Sequence, residues 1–151
     1  MIKIICVGKI KEKFYKEAIL EYKKRLSKYA NLEIIECPDY DNLPIEIIKK
    51  NEKDQIIKRI KEKDYIVTME IEGESLDSNG FAKFIDTTLI KHSNITFIIG
   101  GSYGLHDDLK KMSNYSLSFS KLTYPHQLFR VILLEQIYRA FKIIKNESYH
   151  K

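Results

Sequence analysis

The stretch "FIIGGSYGLHDDL", residues 97–109, decides how this chain is organised. An apolar run with the character of a buried strand gives way to glycines at 100, 101 and 104, and "LHDDL" then has the acidic opening of a helix. A strand that ends on glycine and turns into a helix is a building unit of parallel α/β sheets, which bind ligands beyond the carboxyl ends of their strands. Two ligand classes can be tested by spacing. A P-loop needs Lys-Ser/Thr straight after its last glycine, whereas Gly104 is followed by Leu105 and His106. A dinucleotide site needs an acidic residue about 20 positions on, yet no carboxylate lies between Asp108 and Glu135. Taken alone, the glycines read as turn formers with positive φ.

Working outward, the same alternation of strand and helix fills the chain. "IKIICVG" (2–8) is a strand, and residues 11–29 place Phe14, Ala18, Tyr22, Leu26 and Tyr29 on one helical face. "LEIIECP" (32–38) is a second strand, followed by a helix over 43–62 with Ile45, Ile48, Ile56 and Ile60 at helical intervals. "DYIVTMEI" (64–71) is a third strand, Ser78 caps a helix through about Lys91, and "ITFIIGG" (95–101) is the fourth strand. Beyond the glycines come a short helix near 106–112, a strand "YSLSFS" (115–120) and a long helix opened by Pro125. The expectation is a single α/β domain spanning 1–151, with a mostly parallel sheet covered by helices on both faces. Its ligand-facing segments are Thr68–Glu70, Gly100–Gly104 and Phe119–Tyr124.

Composition narrows the classes. The chain has 151 residues, three prolines and six glycines, with no repeat, and its apolar runs fall far short of the ~20 residues of a membrane helix. Its start, "MIKIICVGK", lacks the apolar core and cleavage site of a secretory leader, so a cytoplasmic location and no membrane partner are expected. Cys6 and Cys37 sit in apolar, strand-like surroundings without metal-ligand spacing, which predicts buried reduced thiols and no metal site. A net charge of +5 suits an anionic partner such as RNA without requiring one. Many of the lysines between 9 and 28 alternate with Glu12, Glu17 and Glu21 as on a solvated helix face.

The last helix carries the clearest anomaly. At 100° per residue, Arg130, Leu133, Ile137, Phe141 and Ile144 lie within about 60° of His126, with Glu135, Arg139 and Lys142 opposite. His126 and Arg130 are therefore polar groups on an apolar face, where they must be paired or line a cavity. Leu128, Val131, Ile132, Leu134 and Tyr138 widen the apolar arc, which suggests a second copy of the chain as partner.

Several segments together, "CVGKIKEKF", "VTMEIEG", "FIIGGSYGL", "SFSKLTYPHQLFRVILLEQIYRAFKI" and the ending "SYHK", resemble the ribosomal RNA large-subunit methyltransferase H family. This is a minimal group of the SPOUT class, and the resemblance covers nearly the whole chain. It implies an α/β fold with a C-terminal trefoil knot, a homodimer, and methyl transfer from S-adenosylmethionine to N3 of a pseudouridine in large-subunit ribosomal RNA, on the assembled ribosome. It implies cofactor contacts at Met69, at Gly100 with its loop partners Gly101 and Gly104, and along Phe119, Ser120, Lys121, Leu122, Thr123 and Tyr124. Where the family typically has Leu, Met69 is a volume-conserving change. The terminal Tyr149 and His150 match the family's Tyr-His, which approaches the partner's cofactor. Just before them Asn146 and Ser148 stand where Gly and Pro or Ala are frequent.

An adenosyl cofactor carries no phosphate, so a glycine loop without a lysine clamp is suited to it. Arg130 is the first choice for stabilising charge on the target ring or clamping a flanking phosphate, and a structural pair is the open alternative. His126 is either a base or structural. A nucleotide-dependent hydrolase or oxidoreductase lacks its phosphate and ribose signatures here, and a non-catalytic RNA-binding protein leaves the two polar groups of the last helix without a purpose.

Overall fold

The computed structural model describes residues 1–151. Strands and helices alternate strictly: β1 (Ile2–Val7), α1 (Lys13–Leu26), β2 (Leu32–Cys37), α2 (Ile45–Ile57), β3 (Asp64–Ser75), α3 (Ser78–Lys91), β4 (Asn94–Ile99), α4 (Asp107–Met112), β5 (Tyr115–Ser118) and α5 (His126–Ile144). The strands form one sheet in the order β2-β1-β4-β3-β5, and every pair in it is parallel. Each strand must therefore return through a helix, which places helices on both faces. Side chains from α1, α3 and α5, such as Leu26, Phe81 and Ile137, share one apolar core with β1 and β4. Ile56 of α2 and Leu109 of α4 close a smaller core on the opposite face.

Covered on both faces, β1 is buried at every position and has no polar alternation. Even Lys3 is buried: its ammonium pairs with Asp64 and donates to the Arg59 carbonyl at 2.9 Å, as a buried charge must. Cys6 and Cys37 are both buried and free. No helix is long and apolar enough to cross a membrane.

Three local expectations need correction. Phe14 and Ile45, assigned to buried helix faces, are 61% and 50% exposed. Both lie in the first turn of their helices, and burial begins further along, at Leu26 in α1 and Ile48 in α2. Asp77, rather than Ser78, caps α3, its carboxylate accepting the Gly80 N–H at 2.7 Å.

The third correction concerns β3, which runs beyond Ile71 to Ser75 by stepping out of register. Met69 and Glu74 both pair with Leu117 of β5, so residues 70–73 leave the ladder as a bulge at the sheet's carboxyl edge. Gly73 makes this possible. A Cβ built on it would stand 2.8 Å from the backbone of Ser116 and Leu117, so no side chain fits between the two strands. Gly73→Ala should separate β3 from β5 and cost roughly 1–3 kcal/mol, the range for overpacking. Urea denaturation checks this, and wild-type stability in the variant would refute the close approach.

Candidate active site

The bulge of β3, the loop after β4 and the segment after β5 surround a cavity of about 450 Å³. It lies beyond the carboxyl ends of these strands, where a parallel sheet holds its ligand. Met69 forms part of the wall on the β3 side, and Gly100, Gly101 and Gly104 on the β4 side. Phe119, Ser120, Leu122, Thr123 and Tyr124 contribute from the β5 side, while Lys121 is exposed and absent from the wall. His126 and Phe129 add the first turn of α5. Glu70 lines the wall from the expected segment Thr68–Glu70, whereas Lys110 and Phe129 were missed in the sequence, although Phe129 is one helical turn from His126.

The three glycines of the loop have three different reasons to be glycine. A Cβ on Gly100 would come within 2.9 Å of the Leu105 side chain, and one on Gly101 within 2.6 Å of the Glu52 carboxylate. Gly104 has φ +81 with nothing within 4 Å of its Cβ position, so backbone conformation alone demands glycine there. Close packing thus keeps Gly100 and Gly101 bare, and open space lies over Gly104.

Aromatic contacts hold the opposite wall. Phe119 stacks on Phe129 at 5.5 Å and meets Phe81 of α3 edge-on at 5.6 Å, which ties the 119–124 segment to the main core. Ser120 Oγ accepts the Leu122 N–H at 2.9 Å and fixes the turn at the lip. On the β3 side, Glu70 accepts hydroxyl protons from Thr68 and Ser116, with Lys110 Nζ 3.9 Å away.

His126 and Arg130 separate in role. His126 is half-buried in the cavity wall, and its pKa is lowered by burial and then by the Arg130 charge, so the imidazole is neutral at neutral pH. Arg130 is 2% exposed and does not face the cavity. Its Nη2 donates to the carbonyls of Val7 and Gly8, both at 2.7 Å, and its Nη1 to Glu36 at 2.8 Å; Nε has no partner. Of the two readings open in the sequence, this placement favours the internal pair.

The family model described as "Predicted SPOUT methyltransferase" matches residues 1–150. The chain belongs to the SPOUT methyltransferase family. It is 51% identical over 154 residues to "Ribosomal RNA large subunit methyltransferase H" of Caldicellulosiruptor saccharolyticus, covering 100% of both chains. With the protein of the same name from Ruminiclostridium cellulolyticum the identity is 53% over 157 residues and covers 99% of each. A solved "probable methylase family protein" from Haemophilus influenzae Rd KW20 shares the fold at a TM-score of 0.55 and 14% identity, over 99% of this chain and 70% of that one.

In this SPOUT methyltransferase the last residues are folded back on α5 rather than frayed. Asn146 adopts φ 54, the left-handed conformation for which glycine is usual and which asparagine tolerates. Its N–H bonds the Ile143 carbonyl at 3.1 Å and the Glu147 N–H the Lys142 carbonyl at 2.9 Å, a Schellman ending of the helix. The substitution of Asn for Gly therefore preserves the turn. Tyr149 donates to Glu135 at 3.2 Å, Arg139 lies over the Tyr149 ring at 4.8 Å, and Arg139 Nη1 is 3.1 Å from His150 Nδ1. Arg139, placed in the sequence on the solvated side of α5, is thus the cation around which the tail gathers.

Arg130→Ala should cost about 1–3 kcal/mol or more, because it leaves the Val7 and Gly8 carbonyls without this donor, while Arg130→Lys should recover only part of the loss, having no planar fork. Denaturant titration reads both. A variant of wild-type stability that cannot transfer methyl groups would instead return Arg130 to the chemistry.

Proposed function

We propose that the chain transfers a methyl group from S-adenosylmethionine to N3 of a pseudouridine in large-subunit ribosomal RNA, on the assembled ribosome and without a metal. The observation that carries this reading is the cavity wall of glycine backbone and apolar groups, in which Lys110 is the only Lys or Arg and lies beside Glu70. Such a wall suits an adenosyl group with a sulfonium and offers no cradle for a triphosphate. Full-length relatives named as ribosomal RNA large subunit methyltransferases support the RNA substrate. Transfer of a radiolabelled methyl group to ribosomes lacking the modification, followed by mapping of the base, tests the proposal. Tight ATP or NAD binding without adenosylmethionine binding would overturn it.

The bound cofactor supplies a methyl group already activated for transfer. The chain's task is then alignment and exclusion of water. Met69, Leu105 and Phe119 give an apolar wall, and open space over Gly104 leaves room for the nucleoside. His126, neutral and in the wall, has a lone pair available for the N3 proton. Because protonation removes that lone pair, activity should fall as the pH drops through the His126 midpoint, which burial holds below the ordinary imidazole value. His126→Asn should lose activity and this acidic limb together. An unchanged limb in the variant would clear His126 of the role.

We further read the working unit as a homodimer with shared sites. The cavity meets α5 at His126 and Phe129 and the tail meets it at Glu135 and Arg139, so six residues, about 9 Å of helix, separate the nearest of these positions. A chain's own tail therefore meets α5 beyond the turn that lines its own cavity. The outer face of α5 is apolar near the cavity, at the half-buried Leu128 and Ile132, and charged near the tail, at Glu135, Arg139 and Lys142. A two-fold antiparallel pairing would set each tail beside the partner's cavity. The trefoil knot would lie where segment 119–125 passes the loops that share the cavity with it.

Leu128→Glu or Ile132→Glu should yield monomers by light scattering, without the core loss expected at Ile137, which is 0% exposed. Deleting residues 149–151 should leave dimer and cofactor affinity intact while methyl transfer falls by orders of magnitude. A fully active truncated chain would contradict the shared site.

A further inference from the structure

Behind the glycine loop lies a buried carboxylate that does not itself line the cavity. Glu52, in the middle of α2, is 5% exposed, and its oxygens pack against Gly101 so closely that a Cβ there would stand 2.6 Å from one and 2.9 Å from the other. Gly101 itself forms part of the cavity wall. One layer of backbone therefore separates a buried carboxylate from the ligand space.

No cation neutralises this group. The Gly101 amide favours its charge, Asp39 from the segment between β2 and α2 opposes it, and the glycine loop itself carries no titratable side chain between 100 and 105 except Tyr103. The neighbouring cations are engaged elsewhere: Lys53 pairs with Asp54 and with Asp108 of α4, and Arg130 is held by Val7, Gly8 and Glu36. His106, at the start of α4, spends Nδ1 on the Asp108 N–H. Burial, reinforced by Asp39, pushes the Glu52 carboxyl up to about 7. A buried acid without a counter-ion is costly to a fold, and a substituent as simple as glutamine would fill the same volume without that cost.

We propose that Glu52 is a positioning residue of the cofactor site, holding Gly101 from behind and supplying the negative charge that favours a sulfonium cation over its neutral thioether product. This rests on the methyltransferase reading and deepens it. The charge difference between substrate and product cofactor is one positive charge at sulfur, the quantity a carboxylate behind the wall would sense. Binding the cation draws Glu52 into its ionised form and releases its proton to solvent. Losing the cation at methyl transfer lets Glu52 take a proton back, which weakens the hold on the product.

The test is calorimetry of S-adenosylmethionine and S-adenosylhomocysteine binding to the full-length protein at pH 7, in buffers of different ionisation enthalpy, for wild type and Glu52→Gln. Both ligands carry the same amino group, so the difference between wild type and variant is the readout. Adenosylmethionine should release roughly 0.4 of a proton per site from the wild type for a tenfold gain in Glu52 acidity on binding, and adenosylhomocysteine much less. Glu52→Gln, which keeps the shape of the side chain but not its charge, should remove that release, flatten the rise of adenosylmethionine affinity between pH 6 and 8, and cut the preference for adenosylmethionine about fivefold at pH 7. Binding with equal proton release in wild type and variant would overturn the proposal while leaving the methyltransferase reading intact. If the wild type binds neither ligand, that reading falls and the role of Glu52 falls with it.

Discussion

The guanidinium of Arg130 is the joint on which the site depends. Parallel strands end with carbonyls that no neighbour satisfies, and a helix crossing over those ends must either solvate them or donate to them. Arg130, one turn into α5, donates to Val7 and Gly8 at the end of β1 and to Glu36 at the end of β2. That places the start of α5 over the carboxyl ends of β1 and β2. His126 and Phe129 then reach the cavity from the same turn, and Phe129 in turn seats Phe119. The same charge also depresses the His126 pKa, so the brace and the chemistry of the wall are coupled through four residues of helix.

Much of this was legible in sequence because parallel strands buried on both faces have few disguises. The apolar runs at 2–7, 64–71 and 95–99, each followed by a helical period, announce crossover units, and the parallel sheet follows. The order of strands was not legible. Nothing in the apolar runs says that β4 inserts between β1 and β3, since crossover helices carry no mark of how far they travel across the sheet. Residues that serve through a close approach were equally hidden. Gly73 looks like any turn glycine until β5 is set against it, Glu52 looks like a solvated charge within a polar stretch, and Lys3 is a lone charge in an apolar strand whose partner Asp64 is distant in sequence. Conversely, Phe14 fits a buried helical period and is exposed, because periodicity defines a face without saying where along the helix the core begins.

The resemblance to a family and the physical reading supplied different things. The resemblance pointed to Met69, the glycines and the 119–124 segment, and the structure brings nearly all of these to one cavity. Packing then assigns reasons the resemblance could not. Gly100 is bare because Leu105 folds over it, and Gly101 because Glu52 lies behind it. Arg139 belongs to neither list of expectations, since a cation on the polar side of an amphipathic helix is ordinarily solvated. It acquires a purpose only when the Schellman turn at Asn146 sends the tail back along α5 to meet it.

Why a strand–glycine–helix joint at this position should bind no phosphate can now be answered physically. Anion sites at such joints use a helix N-terminus with free amides, glycines that let those amides converge, and a lysine. Here the helix that follows, α4, spans only Asp107–Met112, carries Asp107 and Asp108 in its first turn, and has its Asp108 amide taken by the His106 imidazole. The loop's reverse side faces the Glu52 carboxylate, and the sole lysine of the wall stands next to Glu70. Each feature lowers the electrostatic potential where a phosphate would need it raised. The glycines bring backbone close while the charges around them have the opposite sign, so a ligand positive at its reactive atom, as the proposed cofactor is, would meet a favourable potential there.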